Sequence, residues 1–262
     1  MNHRVLTATL VLLTACATSP LGRSQLLIFP AAEMDAMGVQ AFDQIVQEGA
    51  VSQDAAANAY VRCVANAITA VLPAEERGEG WEVVVFDDET ANAFALPGRK
   101  IGVHTGLLAV ATNQDQLATV IGHEVGHVLA HHGNERMSQQ FVAQTGLGVA
   151  QVLAGEPSPA KDLALGALGL GAQVGILLPF SRSQEREADL LGLDLMAQAG
   201  FDSRQSVELW RNMAKGGGGE QPEFLSTHPS HDTRIQDLSQ RIPQTLPLYE
   251  KARQSGRAPR CS

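Results

Sequence analysis

The chain has 262 residues and a formal net charge of −9 at pH 7, without a dense cluster of lysine and arginine. This acidic balance argues against a nucleic-acid partner, because affinity for nucleic acids depends on cations that neutralise phosphates. The length suits one folded domain, which we assign to residues 31–250, with a linker over 16–30 and a C-terminal tail over 251–262.

The N-terminal residues are typical of a bacterial export signal. Arg4 supplies the positive start, and the apolar run Val5–Leu13 is too short to span a bilayer as a mature helix. The run LTAC at residues 13–16 resembles a lipobox, which predicts a lipoprotein signal peptide over residues 1–15 and a lipid on Cys16. An ordinary signal peptide is the alternative. By resemblance to bacterial lipoprotein sorting, Ala17 predicts a periplasmic protein anchored to the outer membrane.

The two other cysteines are Cys63 and Cys261. In an oxidising compartment such a pair tends to form a disulfide, which here would tie the C-terminal tail to an early helix. We favour this bridge over two free thiols, although spacing along the sequence does not show that the two residues are close in space.

The first half of the chain predicts two helices followed by a small sheet. Ala31–Gly49 and Gln53–Leu72 are rich in alanine, with apolar residues at helical spacing, and a polar loop follows them. Trp81–Phe86 is β-branched and strand-like. Two further strands, Asn92–Leu96 and Ile101–His104, flank a hairpin turn over residues 97–100.

The next segment carries the most informative motif. Gln114–Met137 contains no proline and has apolar residues at helical spacing, which predicts a largely buried helix. His123 and His127 then lie on one face about 6 Å apart, so both imidazoles can bind one zinc ion. Glu124 can take a proton from the attacking water. The run HEVGH is the signature of helical zinc proteases, so we predict peptide-bond hydrolysis with one Zn²⁺ per chain.

A third ligand must come from elsewhere in the chain. His131 would lie about 12 Å from His123 on a straight helix, too far for one ion. Ala130 also replaces the glycine that breaks the helix in proteases with a third nearby histidine. We therefore assign His131 and His132 to the helix end, where their cations would suit the helix C-terminus.

Ser181–Asp189 offers the best candidates for this ligand. Glu185 and Asp189 are four residues apart and share a helix face, whereas Glu187 points to a different one. One carboxylate can bind zinc while the other accepts a hydrogen bond from a ligand histidine. The alternative is an ordinary solvated, charged helix.

The remaining segments predict further helices. Leu163–Phe180 carries no charge, and of three alternatives (a membrane span, a monotopic membrane contact, or a buried helix or flap over the site) we favour the last. Helices are predicted over Ser183–Ala199, Ser203–Lys215 and Ser230–Ile242, with Gly200 as a stop. The expected fold class is α+β, mostly helical, with a small sheet next to the metal-binding helix.

Four motifs together resemble the zinc metallopeptidase family of the CAAX prenyl protease, HtpX and BepA. They are His123–His127, the run over residues 181–189, the run THP at 227–229 followed by Arg234, and the run NAFALPG at 92–98. The lipobox resembles that of the periplasmic lipoprotein members. Arg99 departs from the second glycine that many relatives carry, which puts the shape of the turn in question.

The resemblance implies a zincin-like (gluzincin) core and a set of roles. The implied zinc ligands are His123, His127 and Glu185, with Glu124 as general base and with Asp189 and Arg234 supporting the site. His228 would either fill the open zinc position and keep the enzyme latent or help to stabilise the tetrahedral intermediate. The substrate backbone would lie along the strand residues Asn92, Ala93, Phe94, Ala95 and Leu96, which are otherwise plain structure.

The implied substrates are unfolded or misassembled envelope proteins, in protein quality control. A zinc-containing chaperone or assembly factor for outer-membrane proteins, with latent or no proteolysis, is the competing hypothesis. Because a purely structural zinc site closes all four positions with protein groups, an intact Glu124 favours the enzyme.

Overall fold

The computed structural model describes residues 16–153, 180–215, 224–228 and 233–262. The strands are β1 (Cys16–Thr18), β2 (Ser24–Leu26), β3 (Glu82–Phe86), β4 (Ala93–Leu96) and β5 (Lys100–His104). The helices are α1 (Ala31–Glu48), α2 (Ala55–Thr69), α3 (Ala74–Arg77), α4 (Thr105–Val110), α5 (Gln114–Leu129), α6 (His132–Leu153), α7 (Arg182–Ala199), α8 (Gln205–Lys215), α9 (Phe224–Thr227) and α10 (Arg234–Gln254). The predicted signal peptide, and the predicted flap except for Phe180, lie outside the described residues.

Helix α5 forms the centre of the core. Asn113 caps its start by accepting hydrogen bonds from the backbone amides of Asp115 and Gln116. Its apolar residues from Leu117 to Val125 are almost fully buried and belong to the same cluster as residues of α2, α7 and the sheet. The helix ends at Leu129, and His131 adopts a left-handed conformation with φ 53° before α6 begins. The prediction of one continuous helix through Met137 is therefore wrong.

Helix α7 lies against α5 at very short range. A β-carbon on Gly122 would lie 2.9 Å from the carbonyl oxygen of Gly192, and one on Gly126 would lie 3.0 Å from that of Ala188. Only residues without bulky side chains permit this approach. It brings the start of α7, where Ser181 and Gln184 form a capping box, next to the histidines of α5.

The small sheet has the order β3-β5-β4, with β3 and β5 parallel and β4 antiparallel to β5. The predicted strands and hairpin turn are confirmed. Gly98 and Arg99 both have positive φ in the turn, 81° and 62°, so the arginine adopts the conformation that glycine would take more readily. Among the described residues, β4 has a ladder partner on one side only, which leaves its other edge facing α5.

The segment predicted as a linker is instead part of the folded body. Strands β1 and β2 form an antiparallel hairpin. After it, the Ile28 amide donates to Ser138 Oγ at 2.9 Å, and the Asn134 side chain donates to the Phe29 carbonyl at 2.7 Å. Residues 16–29 therefore dock on α6. The sequence did not predict this docking, because it depends on partners far along the chain and so short a segment shows no hydrophobic periodicity.

The C-terminal segment is also more ordered than a tail. Helix α10 continues through Pro243 and Pro247, twelve residues beyond the predicted end at Ile242, because its buried face keeps packing through Thr245 and Ala252. The last residues lie on α2 and α5. Cys63 and Cys261 form a disulfide with their Cα atoms 5.6 Å apart, and the Cys261 amide donates to Gln114 at 2.9 Å.

The mostly helical α+β architecture with a small sheet is confirmed. Differences in detail are the short helices α3, α4 and α9, which the sequence analysis did not predict, and the helix break at His131. None of the helices within the described ranges combines the length and apolar composition needed to cross a membrane.

Candidate metal centre

Four buried side chains from three parts of the chain converge on one point. His123 and His127 come from α5, Glu185 from the first turn of α7, and His228 from just after α9. One donor atom of each lies within 4.8 Å of all the others. The structure thus brings together all three residues predicted as zinc ligands and adds the histidine whose role the sequence left open.

The distances between donor atoms have the size expected around a tetrahedral zinc ion. With zinc–ligand bonds of about 2.0–2.2 Å, two ligand atoms should lie about 3.3–3.6 Å apart. The Nε2 atoms of His123 and His127 are 3.0 Å apart, and they lie 3.5 and 3.3 Å from the oxygens of Glu185. His228 Nδ1 lies 3.2 Å from His123 Nε2 and 3.0 Å from Glu185.

The chemistry of the donors also fits zinc. Nitrogen and carboxylate ligands in a closed group of four suit Zn²⁺, which has no geometric preference of its own. Burial lowers the pKa of His123 and His127 well below the usual histidine value, so both rings are neutral and present lone pairs. Burial alone would raise the pKa of Glu185, but the imidazoles of His127 and His228 in contact with its oxygens outweigh this effect and hold the pKa far below its usual value. The group therefore fits one zinc ion per chain.

Asp189 and Arg234 lie directly behind His123. His123 Nδ1 is 2.9 Å from Asp189 Oδ1, which also accepts from Arg234 Nη2 at 2.7 Å. The guanidinium of Arg234 is 1% exposed and stacks on Trp210 at 3.5 Å from the ring centroid. This chain of contacts fixes the proton of His123 on Nδ1 and leaves Nε2 free for a metal.

His132 lies behind His127 in the same way, which sequence reasoning missed. Its Nδ1 is 2.9 Å from His127 Nδ1, and its Nε2 is 3.2 Å from Glu187 Oε2. Because His132 begins α6 and does not end α5, the prediction that it is a cation at a helix C-terminus is wrong, and burial also lowers the pKa of this fully buried ring. The spacing rules of a continuous helix do not relate His132 to His127, because the helix is broken at His131, which has a left-handed backbone conformation.

Glu124 is a buried carboxylate beside the four ligands. One oxygen lies 3.5 Å from His228 Nε2, and the Ala95 backbone amide donates to the carboxylate. Burial raises the pKa of Glu124 to about 7, although the neighbouring His228 opposes this change. A carboxyl group poised near neutral pH can both accept and return a proton.

His228 is held between acidic and aromatic neighbours. Burial would lower its pKa, but the charge of Glu124 and the hydrogen bond to Glu185 raise it above the usual value. The ring stacks on Phe224 with centroids 4.4 Å apart and on Phe180 with centroids 5.1 Å apart. These contacts orient Nδ1 toward the ligand group and Nε2 toward Glu124.

A cavity of about 270 Å³ adjoins the centre, between α1, the turn after β4 and the start of α6. His127 and Phe180 line one end of it, and Arg136 stacks on Phe180 with 3.5 Å between its guanidinium carbon and the ring centroid. The rest of the wall is mainly apolar and includes Met34, Met37, Ala41, Leu96, Val128 and Met137. An apolar side chain entering from the edge of β4 would therefore find space next to the metal ligands.

Comparisons with known proteins agree with this geometry. The family model of Peptidase family M48 matches residues 54–242. The chain is 34% identical over 183 residues to "Mitochondrial metalloendopeptidase OMA1" of Saccharomyces cerevisiae, covering 67% of this chain and 51% of that protein. It is 34% identical over 254 residues to "Metalloendopeptidase OMA1, mitochondrial" of Danio rerio, covering 92% of this chain and 53% of the relative.

A bacterial relative is also similar. The "Beta-barrel assembly-enhancing protease" of Yersinia pestis is 31% identical over 192 residues, covering 71% of this chain and 38% of the relative. The chain thus spans about half, or less, of the length of the curated relatives it matches. Because the family match covers most of the chain and includes every residue of the metal centre, the chain belongs to Peptidase family M48.

Proposed function

We propose that this chain is a zinc-dependent endopeptidase. The observation that carries the proposal is the convergence of His123, His127 and Glu185 on one point beside the buried carboxylate of Glu124. A site that only stabilised the fold would gain nothing from a further buried carboxyl group with a pKa of about 7.

Each residue has a part in this function. His123, His127 and Glu185 would hold the ion, which when bound supplies Lewis-acid chemistry. Glu124 takes a proton from the attacking water and passes it to the leaving amine. Asp189 fixes the tautomer of His123, and the buried Arg234 holds Asp189 in place.

The edge strand β4 supplies the binding surface for substrate. An extended peptide can pair with a strand edge that lacks a neighbouring strand, as the outer edge of β4 does among the described residues. The adjacent apolar cavity accepts one side chain of that peptide. The amide of Ala95 is engaged by Glu124, which ties the strand to the catalytic group. Pairing of this kind reads the backbone rather than a sequence, as suits a protease that cleaves unfolded chains.

His228 keeps the enzyme latent in the conformation described here. Its Nδ1 lies about as far from the donor atoms of His123 and Glu185 as two ligands of one zinc ion lie from each other. In this place it competes with substrate and water for the fourth coordination position of the ion. Cleavage then requires His228 to move away from the ligand group. This interpretation favours latency over assistance to the tetrahedral intermediate.

A zinc-containing assembly factor is the second candidate function. The closed arrangement of four protein donors favours it, because structural zinc sites have that form. The name of the Yersinia pestis relative, an assembly-enhancing protease, points in the same direction. The two candidates differ in whether Glu124 is needed.

We further propose that the protein acts in the bacterial envelope, anchored to the outer membrane through a lipid on Cys16, on unfolded or misassembled envelope proteins. Cys16 is exposed at the start of β1. The lipobox supports the anchor. Metabolic labelling with a fatty acid should label the wild type and not Cys16→Ser.

Metal analysis and casein digestion test the enzymatic proposal. We expect wild type to carry one zinc ion and to cleave casein, and Glu124→Gln to keep zinc and fold but lose about 10²–10⁴-fold in rate. Equal cleavage by Glu124→Gln would contradict the proposal. His228→Ala should cleave faster than wild type, whereas slower cleavage would replace latency by transition-state help. If Glu124→Gln still suppresses aggregation of an unfolded outer-membrane protein as well as an active wild type does, the assembly function accompanies proteolysis.

A further inference from the structure

The outer nitrogen of His127 starts a hydrogen-bonded chain that leaves the metal centre. Nε2 of His127 faces the other donor atoms, so a neutral ring that binds metal there carries its proton on Nδ1. Nδ1 therefore donates to Nδ1 of His132, 2.9 Å away. His132 then carries its own proton on Nε2 and donates it to Glu187 Oε2 at 3.2 Å. Each tautomer follows from the one before it.

The far end of this chain is held by the N-terminal hairpin. Glu187, which is 4% exposed, accepts hydrogen bonds from the Ser19 hydroxyl, from the Leu21 amide at 3.2 Å and from Arg23 Nε at 3.0 Å. The Nη atoms of Arg23 are bound by Glu135, both at 2.6 Å. The residues between β1 and β2 thus hold the Glu187 carboxylate in place by hydrogen bonds, and this carboxylate orients His132.

We propose that His132 and Glu187 are positioning residues for the metal ligand His127, and that the hairpin over residues 16–26 is an integral part of the metal centre. This inference rests on the proposed zinc site. The arrangement matches the one behind His123, where Asp189 orients the ring and Arg234 holds Asp189. Behind each zinc histidine, a chain of buried hydrogen-bond acceptors ends on a carboxylate held by an arginine: Asp189 directly for His123, and Glu187 through His132 for His127.

The position of the hairpin gives this chain a consequence for the protein. The hairpin begins at Cys16, so it adjoins the proposed lipid. Its Arg23 is connected to the ligand His127 through Glu187 and His132. Displacing the hairpin would free Glu187 from three of its donors and loosen His132. Zinc affinity is therefore expected to depend on docking of the hairpin over residues 16–26.

Two buried glutamates on the same arginine provide a matched test. Glu187 contacts His132, whereas Glu135 pairs with Arg23 and Gln184. We would measure zinc affinity by chelator competition, and unfolding temperature in the zinc-free state, for Glu187→Ala and Glu135→Ala. We expect Glu187→Ala to bind zinc about 10–100-fold more weakly and Glu135→Ala to stay close to wild type, although both lose a buried ion pair.

Three further variants make the test complete. His132→Phe should match Glu187→Ala, and Arg23→Ala should fall between Glu187→Ala and wild type. Should Glu187→Ala fail to fold, Glu187→Gln keeps the side-chain volume and is expected to weaken zinc binding in the same direction. Equal zinc affinity in the two glutamate variants, whether retained or lost, would overturn the positioning role. If the two glutamate variants bind zinc equally but the wild type binds zinc and cleaves casein, only the positioning role is overturned and the proposed function stands. If the wild type binds no zinc, both the positioning role and the proposed function are overturned.

Discussion

Gly192 of α7 approaches the backbone of His123 so closely that a β-carbon on the glycine would lie 2.8 Å from the backbone nitrogen of His123. The atom in the way belongs to the backbone of a central buried helix and cannot turn aside as a flexible side chain could. The separation between α5 and α7 at this point decides how far Glu185, two turns earlier on α7, reaches toward the histidines.

The first prediction follows from this contact. Gly192→Ala should force the two helices apart, lower the free energy of unfolding by about 1–3 kcal/mol and weaken zinc binding, because overpacked cores shift their backbones. Denaturant unfolding and chelator competition measure the two effects. Gly133→Ala is the matched control, since a β-carbon there meets nothing within 4 Å and alanine favours a helix. If Gly192→Ala binds zinc as wild type does, helix spacing does not set the position of Glu185.

The second prediction concerns the support of His123. Asp189→Asn should weaken zinc binding about 10–100-fold, because a neutral amide is a poorer acceptor for His123 Nδ1 and is a weaker partner for Arg234. It should also destabilise the zinc-free protein, since it leaves the buried guanidinium with less compensating charge.

Asp194→Asn is the control for Asp189→Asn. Asp194 lies on the same helix as Asp189, but its ion pair with Arg241 of α10 is partly exposed. Breaking this pair should change stability by about 1 kcal/mol or less and leave zinc binding unchanged. Similar zinc affinities for the two variants would show that Asp189 does not support the ligand.

Residues four apart on one helix were predictable as neighbours, and the structure brings them together as expected. The pairs His123/His127 and Glu185/Asp189 each follow from the helical repeat. The family resemblance supplied the prediction that the two pairs meet at one metal site. Helix starts and stops were also readable where a chemical signal marks them, as at Asn113, Ser181 and Gly200.

Contacts made by irregular backbone were not predictable. The break falls at His131, which is itself neither glycine nor proline, so His132 was assigned to the end of one helix although it begins the next. Glu187 pointed away from Glu185, as expected, but its partners come from a hairpin more than 160 residues earlier. Pro243 predicted a helix end, yet tertiary packing of the following turns outweighs the lost hydrogen bond.

The third prediction is a loss of stability in acid that depends on Glu135. Burial raises the pKa of Glu135, but hydrogen bonds from Arg23 and Gln184 outweigh this and bring it below the usual value of 4.5. Because the folded state holds the lower pKa, the stabilisation is fully present above about pH 4.5 and is lost as the pH falls through the folded-state pKa.

Urea unfolding of zinc-free protein between pH 7 and pH 3 measures this effect. Glu135→Gln should be less stable than wild type at pH 7, and the gap should narrow as the pH falls below about 4.5. Glu208→Gln removes an exposed ion pair and serves as the control, which should differ from wild type by about 1 kcal/mol or less in the free energy of unfolding. A constant gap between Glu135→Gln and wild type across the range would contradict the assignment.

The fourth prediction concerns the disulfide between Cys63 and Cys261. It closes a loop between residues 198 positions apart, and such a cross-link restricts the unfolded chain. Reduction, or the double change Cys63→Ala and Cys261→Ala, should lower the free energy of unfolding by about 2–5 kcal/mol. The double variant should keep the zinc site, because the bridge joins α2 to the C-terminal residues. These residues are hydrogen-bonded to Gln114 at the start of α5, before the ligands His123 and His127.

Non-reducing mass analysis of the wild type tests whether the bridge forms, and thermal unfolding with and without reductant measures its effect. Gln114→Ala separates the two ways in which the last residues are held, since it removes the hydrogen bonds to Pro259 and Cys261 but keeps the covalent link. It should cost less than the double cysteine variant and should make the C-terminal residues more accessible to carboxypeptidase only after reduction. Equal digestion of oxidised and reduced protein would show that packing, and not the disulfide, holds the C-terminus on the domain.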